Sequence, residues 1–172
     1  MTSKGQGWYA NVKKFFKVAV GGTFDELHRG HKTLLLEAFE IGERVVIGLS
    51  SHKLVSKLSK PHVTASFAER RQVLEFYLKD LGVADIAEIV PLFDAFGSSI
   101  KDPEIEALVV SEETKPMAEE INERRRQAGL PTLQIVVITM VPSQNCGPIS
   151  TTRIRRGEMD REGCLLKKNK QP

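Results

Sequence analysis

The sequence has few cysteines and no long apolar run, and both shortages limit what the protein can be. Its 172 residues include two cysteines, Cys146 and Cys164, which are too few for a disulfide scaffold and lack the spacing of a zinc site. No apolar run approaches the ~20 residues that a membrane-spanning helix needs, and the N-terminal residues lack the apolar core of a signal peptide. We therefore expect a protein of the reducing cytoplasm with no membrane partner.

The charge is low and unevenly distributed along the chain. The net charge is +3, from 25 basic and 22 acidic residues. Residues 153–172 hold seven of the lysines and arginines and three of the acids, so the rest of the chain is slightly acidic. A nucleic-acid-binding domain usually carries a broad basic face, and we expect no nucleic-acid partner. We divide the chain into an N-terminal arm at 1–16, one domain at 17–163 and a basic C-terminal tail at 164–172.

Apolar runs of strand length alternate with segments of helical periodicity. The predicted strands are 17–21, 44–49, 87–90, 107–110 and 133–138. The predicted helices are 30–41, 66–81, 116–128 and a short one that starts at Ser150. Ser66 and Glu69 have the spacing of a capping box, which predicts the start of the second helix. The segment between the second strand and the second helix is predicted to be a polar loop. This alternation predicts a single-domain α/β fold with a five-stranded parallel sheet and helices on both faces.

Polar clusters follow the ends of nearly all the predicted strands. They occupy residues 23–31, 53–60, 94–99, 111–114 and 143–155. The carboxyl ends of parallel strands meet at one edge of a sheet, and ligands bind beyond that edge. We therefore expect these clusters to build one active site.

The segment after the first strand combines glycines with histidines. Gly21 and Gly22 permit close approach of a ligand to the backbone, while Thr23, His28 and His31 add hydrogen-bonding side chains. The pattern fits neither GxxxxGK[ST] nor GxGxxG. His28 and His31 stand three apart at the start of a helix, where a phosphate would compensate their charge. The alternatives are a histidine that only caps the helix and a zinc site, for which no third ligand is evident nearby.

The segment ISTTRIR follows the last predicted strand. The hydroxyls of Ser150, Thr151 and Thr152 suit phosphate oxygens, and the guanidinium groups of Arg153 and Arg155 can donate two hydrogen bonds to a phosphate. Alone, the segment fits an ordinary helix cap with solvated arginines equally well. Its position after the last strand, opposite the histidine segment, favours phosphate binding.

Two segments together resemble the paired motifs of the HxGH nucleotidyltransferase superfamily: GGTFDELHRGH and ISTTRIR. The resemblance implies a Rossmann-like fold and transfer of a nucleotidyl group from a nucleoside triphosphate. Two longer stretches are similar to phosphopantetheine adenylyltransferases of the archaeal and eukaryotic type: VVSEETKPMAEEINERRRQAGL and PISTTRIRRGEMDREG. The match covers roughly residues 17–163. It implies transfer of AMP from ATP to 4′-phosphopantetheine, giving dephospho-coenzyme A and pyrophosphate in coenzyme A synthesis.

The resemblance also implies roles for the matching residues. The catalytic set that it implies is His28, His31, Thr23 and Lys57. The implied ATP-binding set is Gly21, Gly22, Thr23, His31, Ser150, Thr151, Thr152, Arg153 and Arg155. The implied substrate-binding set is Thr23, Lys57, Lys60, Asp94, Gly97, Ser98, Ser111, Glu113, Thr114, Asn122 and Arg125. Mg²⁺ is expected to arrive with ATP, and no protein residue is assigned as a metal ligand.

Three alternatives stay open at this point. Another transferase of the superfamily would use glycerol 3-phosphate, flavin mononucleotide or nicotinamide mononucleotide as the acceptor, and the shared motifs do not separate these. A non-catalytic nucleotide-binding regulator would be expected to lose a motif histidine or the ISTTRIR hydroxyls, and both are intact. A nucleic-acid-binding module rests only on the basic C-terminal end. For the oligomeric state we expect a monomer.

Overall fold

The computed structural model describes residues 13–57, 63–139, 142–145 and 147–166 and confirms the α/β class. The strands are β1 (Phe15–Gly22), β2 (Gly42–Ser50), β3 (Ala87–Leu92), β4 (Ala107–Ser111) and β5 (Gln134–Ile138). The helices are α1 (Arg29–Ile41), α2 (His52–Lys57), α3 (Phe67–Asp80), α4 (Lys115–Gln127) and α5 (Thr151–Arg155). Short 3₁₀ turns lie at Ala84–Ile86, Gly97–Ile100 and Glu112–Thr114.

The five strands form one parallel sheet in the order β3-β2-β1-β4-β5. The chain leaves β1 towards one edge of the sheet and later returns to add β4 on the other side of β1. This change of direction opens a crevice between the loops at the carboxyl ends of β1 and β4, which is where open α/β sheets bind their ligands.

Two apolar layers hold the helices against the sheet. On one face, Val18 and Ile47 pack with Leu35 of α1 and Leu74 of α3, all nearly inaccessible to solvent. On the other face, Ile121 of α4 packs with strand residues such as Leu108 and Val110. Because both faces of the central strands are covered, their sequences are apolar at successive positions, as the sequence pattern predicted.

Local hydrogen bonds explain where α3 begins. The Ser66 hydroxyl accepts a hydrogen bond from the Glu69 backbone N–H at 3.2 Å, and a Glu69 carboxylate oxygen accepts one from the Ser66 N–H at 2.8 Å. This reciprocal cap is the one that the sequence predicted for this helix.

None of the described helices combines the length and the apolar character that crossing a membrane requires.

Most boundaries differ from the sequence prediction by one or two residues, and one segment differs in kind. Strand β1 begins at Phe15, two residues before the predicted start, because Phe15 pairs with Gly42 and packs against the core. The segment predicted to be a polar loop begins with helix α2. The Ser51 hydroxyl accepts a hydrogen bond from the Leu54 backbone N–H at 3.2 Å and so supports the first turn of that helix.

Candidate active site

A pocket of about 420 Å³ lies beyond the carboxyl ends of β1, β4 and β5. Three separate parts of the chain line it, and they come from the histidine segment, the turn after β4 and the ISTTRIR segment. The lining residues are Gly21, Gly22, Thr23, His28, Gly30, His31, Leu34, Ser111, Glu113, Thr114, Ile138, Ile149, Ser150, Thr151 and Thr152. The structure therefore brings the two motifs, more than a hundred residues apart in sequence, to one cavity.

The two histidines stack at the start of α1. Their ring centroids are 3.8 Å apart with 22° between the ring planes. Nδ1 of His28 accepts a hydrogen bond from the Gly30 backbone N–H at 3.1 Å, and Nδ1 of His31 faces the His28 N–H at 3.5 Å. Since Nδ1 accepts in both rings, a neutral ring carries its proton on Nε2. Each histidine then has an Nε2–H group with which to donate a hydrogen bond to a ligand.

Burial keeps His28 neutral. Its side chain is 6% exposed, and this desolvation, with the nearby charge of Lys32, lowers the pKa of His28 to about 4. A neutral ring also avoids placing a cation at the positive end of α1. His28 thus caps the helix, as the local interpretation of the sequence allowed, and it also lines the pocket.

The ISTTRIR hydroxyls form the opposite wall of the pocket. The Ser150 hydroxyl caps α5 by accepting a hydrogen bond from the Arg153 backbone N–H at 3.3 Å. The Thr151 hydroxyl donates to the backbone oxygen of Asp25 at 2.9 Å, which ties α5 to the histidine segment. Thr152 also lines the pocket. Hydroxyl groups and glycine backbone therefore face histidine N–H donors across one cavity.

The two arginines of ISTTRIR do not line this pocket, and their assignment as ATP ligands stays a prediction. Arg153 contacts Glu158 at 3.2 Å and also donates to Asn145 and to the backbone oxygen of Pro148. Arg155 forms a two-pronged ion pair with Asp25. Both guanidinium groups already have protein partners, so they hold the loops around the pocket in place.

Asn122 and Arg125, predicted to bind substrate together, both form hydrogen bonds with the backbone. The Asn122 amide donates to the Leu133 backbone oxygen at 2.9 Å and accepts from the Leu133 N–H at 2.7 Å. Arg125 is fully buried. Its guanidinium donates to backbone oxygens of Pro131, Ser99, Asp102 and Ile105. Neither side chain lines the pocket, and their assignment to substrate stays a prediction.

The Asp94 side chain stabilises the loop after β3. The Asp94 carboxylate accepts hydrogen bonds from the backbone N–H groups of Gly97 and Phe96 at 2.8 and 2.9 Å, and these bonds lower the pKa of Asp94. Gly97 has a φ of +52°, in the region that favours glycine. Ser98 lines a separate cavity of about 50 Å³ against β1 and β2. These three residues lie outside the lining of the main pocket, whereas Ser111, Glu113 and Thr114 belong to it.

The predicted lysines lie on the segment after β2. Lys57 is exposed at the last turn of α2 and does not line the pocket. Lys60 falls outside the described residues. Their assignment to phosphate therefore stays a prediction.

Sequence reasoning missed two buried charges behind the pocket. Asp25 is 0% exposed and Arg70 is 3% exposed. Arg70 donates to the backbone oxygens of Thr23 and Ser50, both at 2.8 Å, and so joins the ends of β1 and β2. The sequence contains a feature that points to each of these two residues. Arg70 stands at helical spacing with apolar Leu74 on α3, and Asp25 places an acid in a segment otherwise suited to phosphate.

Comparison with known proteins places the chain among nucleotidyl-transferring enzymes. A family model described as cytidylyltransferase-like matches residues 19–157. The phosphopantetheine adenylyltransferase of Methanopyrus kandleri is 46% identical over 153 residues, which make up 89% of this chain and 96% of that protein. The phosphopantetheine adenylyltransferase of Methanothermobacter thermautotrophicus is 44% identical over 156 residues, 91% of this chain and 93% of that protein.

A solved structure shares the fold. The crystal structure of a protein of unknown function from Archaeoglobus fulgidus matches with a TM-score of 0.65 at 32% sequence identity. The match covers 78% of this chain and all of that one. The Rossmann-like architecture is therefore common to this chain and a solved archaeal structure.

Proposed function

The chain belongs to the phosphopantetheine adenylyltransferase family, and we propose that it transfers AMP from ATP to 4′-phosphopantetheine, giving dephospho-coenzyme A and pyrophosphate. The observation that carries this proposal is the single pocket in which His28 and His31 face Ser150, Thr151 and Thr152. A triphosphate offers acceptor oxygens to both walls at once. Relatives at 40–46% identity that carry this name, over most of the chain, support the choice of acceptor.

The reaction needs charge stabilisation more than a base. The second ionisation of a phosphomonoester has a pKa of about 6, so the acceptor phosphate is already a nucleophile near neutral pH. One of its oxygens attacks the α-phosphorus of ATP and forms a phosphorus–oxygen bond. The bond from the α-phosphorus to the oxygen bridging to the β-phosphorus breaks, and pyrophosphate leaves with the electron pair.

The histidine pair is placed to stabilise the charge that builds during this step. Nδ1 of each histidine faces a backbone N–H group, so a neutral ring carries its proton on Nε2, and this N–H is assigned as the donor to phosphate oxygens when ATP binds. A donor aimed at developing charge in a site that excludes water lowers a barrier by about 3 kcal/mol. A neutral histidine donates without having to lose a proton, so we assign no general base.

Thr23 and the hydroxyl wall complete the predicted contacts to phosphate. Thr23 follows β1 directly and lines the pocket, which supports a contact with the acceptor phosphate or the α-phosphate. Ser150, Thr151 and Thr152 are assigned to the β- and γ-phosphates, with Thr151 contributing its backbone N–H at the start of α5 because its hydroxyl donates to Asp25. Lys57 is proposed as a further phosphate ligand from the neighbouring segment.

The metal of the reaction is proposed to be part of the nucleotide substrate, as the Mg²⁺ complex of ATP. Magnesium in such sites keeps several waters and binds substrate phosphates with few protein ligands. The pocket fits this role because Glu113 is the single carboxylate in its described lining. Within the described part of the chain, no three histidine, cysteine or acidic side chains cluster as a metal site would require. We propose that the enzyme works in the cytoplasm as a monomer.

A panel of substrates tests the function. Pyrophosphate release is measured from ATP and from CTP against 4′-phosphopantetheine, glycerol 3-phosphate, flavin mononucleotide and nicotinamide mononucleotide. We expect turnover with ATP and 4′-phosphopantetheine only. Turnover with a different pair would support nucleotidyl transfer but contradict the proposed pair of ATP and 4′-phosphopantetheine. Nucleotide binding without turnover on any acceptor would favour a regulator instead.

A further inference from the structure

An ion pair between buried Asp25 and the half-buried side chain of Arg155 joins the two walls of the pocket. We infer that Asp25 and Arg155 act as a positioning pair, which sets the placement of the hydroxyl wall relative to the histidine wall. This inference rests on the function proposed above. Neither residue lines the pocket, so the pair acts through its neighbours and supports turnover more than substrate binding.

The geometry of the pair is specific. Nε of Arg155 donates to Oδ2 of Asp25 at 2.9 Å, and Nη2 donates to Oδ1 at 2.8 Å. One turn earlier on α5, the Thr151 hydroxyl donates to the backbone oxygen of the same aspartate at 2.9 Å. One face of α5 therefore holds a single residue of the histidine segment by its side chain and by its backbone. That residue stands two positions after Thr23 and three before His28.

The backbone around Asp25 is strained. Phe24 and Glu26 have φ values of +49° and +51°, although neither is a glycine. Such a conformation is unfavourable for a residue with a side chain and persists only where the surroundings enforce it. Here the Ala65 N–H also donates to Asp25, and Arg161 pairs with Glu26 at 2.7 Å. The loop that presents Thr23 and the histidines is thus held in a conformation that it would not adopt alone.

The charges are arranged so that neither partner serves as a phosphate ligand. Asp25 is completely buried, and a carboxylate beside a triphosphate would repel it if its charge were not compensated. Arg155 compensates that charge, and its hydrogen bonds to Asp25 raise the pKa of Arg155. A buried ion pair is a weak source of net stability, because desolvation offsets most of the attraction. Fixing the geometry of a reacting site is a better explanation, since a misplacement of about 1 Å can cost about 100-fold in rate.

The first test replaces the guanidinium group of Arg155 with an ammonium group and so keeps the positive charge. In Arg155→Lys the ammonium can pair with Asp25 but cannot donate in two parallel directions. We expect kcat to fall about 10- to 100-fold, while the KM values for ATP and 4′-phosphopantetheine change less than about threefold. The matched control is Arg71→Lys, which alters an exposed pair with Glu75 on α3 and should keep kcat within about twofold. A raised KM for ATP with unchanged kcat would make Arg155 a ligand and overturn the inference, and an unchanged kcat would also overturn it.

A second test asks whether the two residues act as one unit. Asp25→Asn and Arg155→Gln are measured singly and together. If the pair acts as a unit, the double variant loses no more than about threefold in kcat beyond the worse single variant. Losses that multiply would mean independent roles and would overturn the inference.

A measurement without turnover separates this inference from the proposed function. If the wild-type protein has no activity with any substrate pair, the proposed function fails but the link between the walls is still testable. Amide hydrogen exchange is then compared between the wild type and Arg155→Lys. Faster exchange at both 23–28 and 151–155, with α4 unchanged, supports the pair as the link. Faster exchange confined to 151–155 overturns it.

Discussion

The carboxyl edge of the sheet and helix α4 both carry polar side chains, but they use them in opposite ways. At the edge, Thr23, His31 and Ser150 line a cavity wide enough for a ligand. On α4, Asn122 and Arg125 point into the protein and bind backbone groups of neighbouring loops. In the first region, polar atoms face a space that a substrate can fill. In the second, they satisfy the chain's own buried carbonyls.

This difference shows why a polar residue beside a motif is not always part of the site. Residues directly after a strand end occupy the crevice where no other element packs. A residue in the middle of a helix that packs on the sheet has to be either exposed or matched by a buried partner. Arg124 and Arg126 take the first option and are exposed, and Arg125 takes the second.

Removing a pocket histidine should affect activity most, and it tests whether the polar side chains at the sheet edge serve a ligand. His31→Ala deletes the Nε2–H group that we propose donates to the reacting phosphates, and we expect kcat to fall roughly 10³-fold, equivalent to about 4 kcal/mol in the barrier. Steady-state kinetics and thermal unfolding of the same preparation check it. His31→Asn, which keeps a polar group at the helix start, should lose similar activity at an unchanged melting temperature. A large drop in melting temperature with little loss of kcat would make this histidine structural.

The next test is made on α4. Arg125→Met removes the partner of four backbone oxygens, two of them in buried hydrogen bonds, and we expect the free energy of unfolding to fall by about 3 to 4 kcal/mol. KM for 4′-phosphopantetheine should stay unchanged in the fraction that folds. The control is Arg126→Met on the next residue, whose guanidinium pairs with exposed Glu123 and should contribute less than about 0.5 kcal/mol. Urea unfolding measures both variants. A raised KM for 4′-phosphopantetheine with an unchanged free energy of unfolding would indicate that Arg125 binds substrate.

The fold and the position of the pocket were predictable because both depend on local patterns. Buried parallel strands read as apolar runs, and the capping pair Ser66 and Glu69 marked the start of α3. Parallel strands then bring their carboxyl ends to one edge, so the polar segments after β1 and β5 had to meet. No long-range information beyond strand order was needed for that step.

The individual roles of charged residues were less predictable, because each depends on a partner far away in sequence. Arg155 pairs with Asp25, which stands 130 residues earlier, and Arg125 binds the Ser99 carbonyl 26 residues before it. A sequence shows that an arginine is present but not which acceptor it meets. Family resemblance assigned Arg155 to ATP and Arg125 to the acceptor substrate, and neither assignment could include the contacts with which both side chains hold loops in the structure. Asp25 and Arg70 were missed for the same reason.

His28 both lines the pocket and caps helix α1. Its titration should change stability less than the other two substitutions change activity or stability. Burial holds its pKa at about 4 in the folded protein, against about 6.5 in an unfolded chain. Between these values the unfolded state binds more protons, so stability is full above about pH 6.5 and falls as the pH drops towards 4. We expect this residue to account for roughly 2 to 3 kcal/mol of that loss. His28→Asn keeps a side-chain oxygen for the helix cap and should show a correspondingly smaller loss in urea unfolding between pH 7 and pH 4.5. His52→Asn, at an exposed histidine, is the control and should lose as much as the wild type. Equal losses in all three proteins would contradict a buried neutral His28.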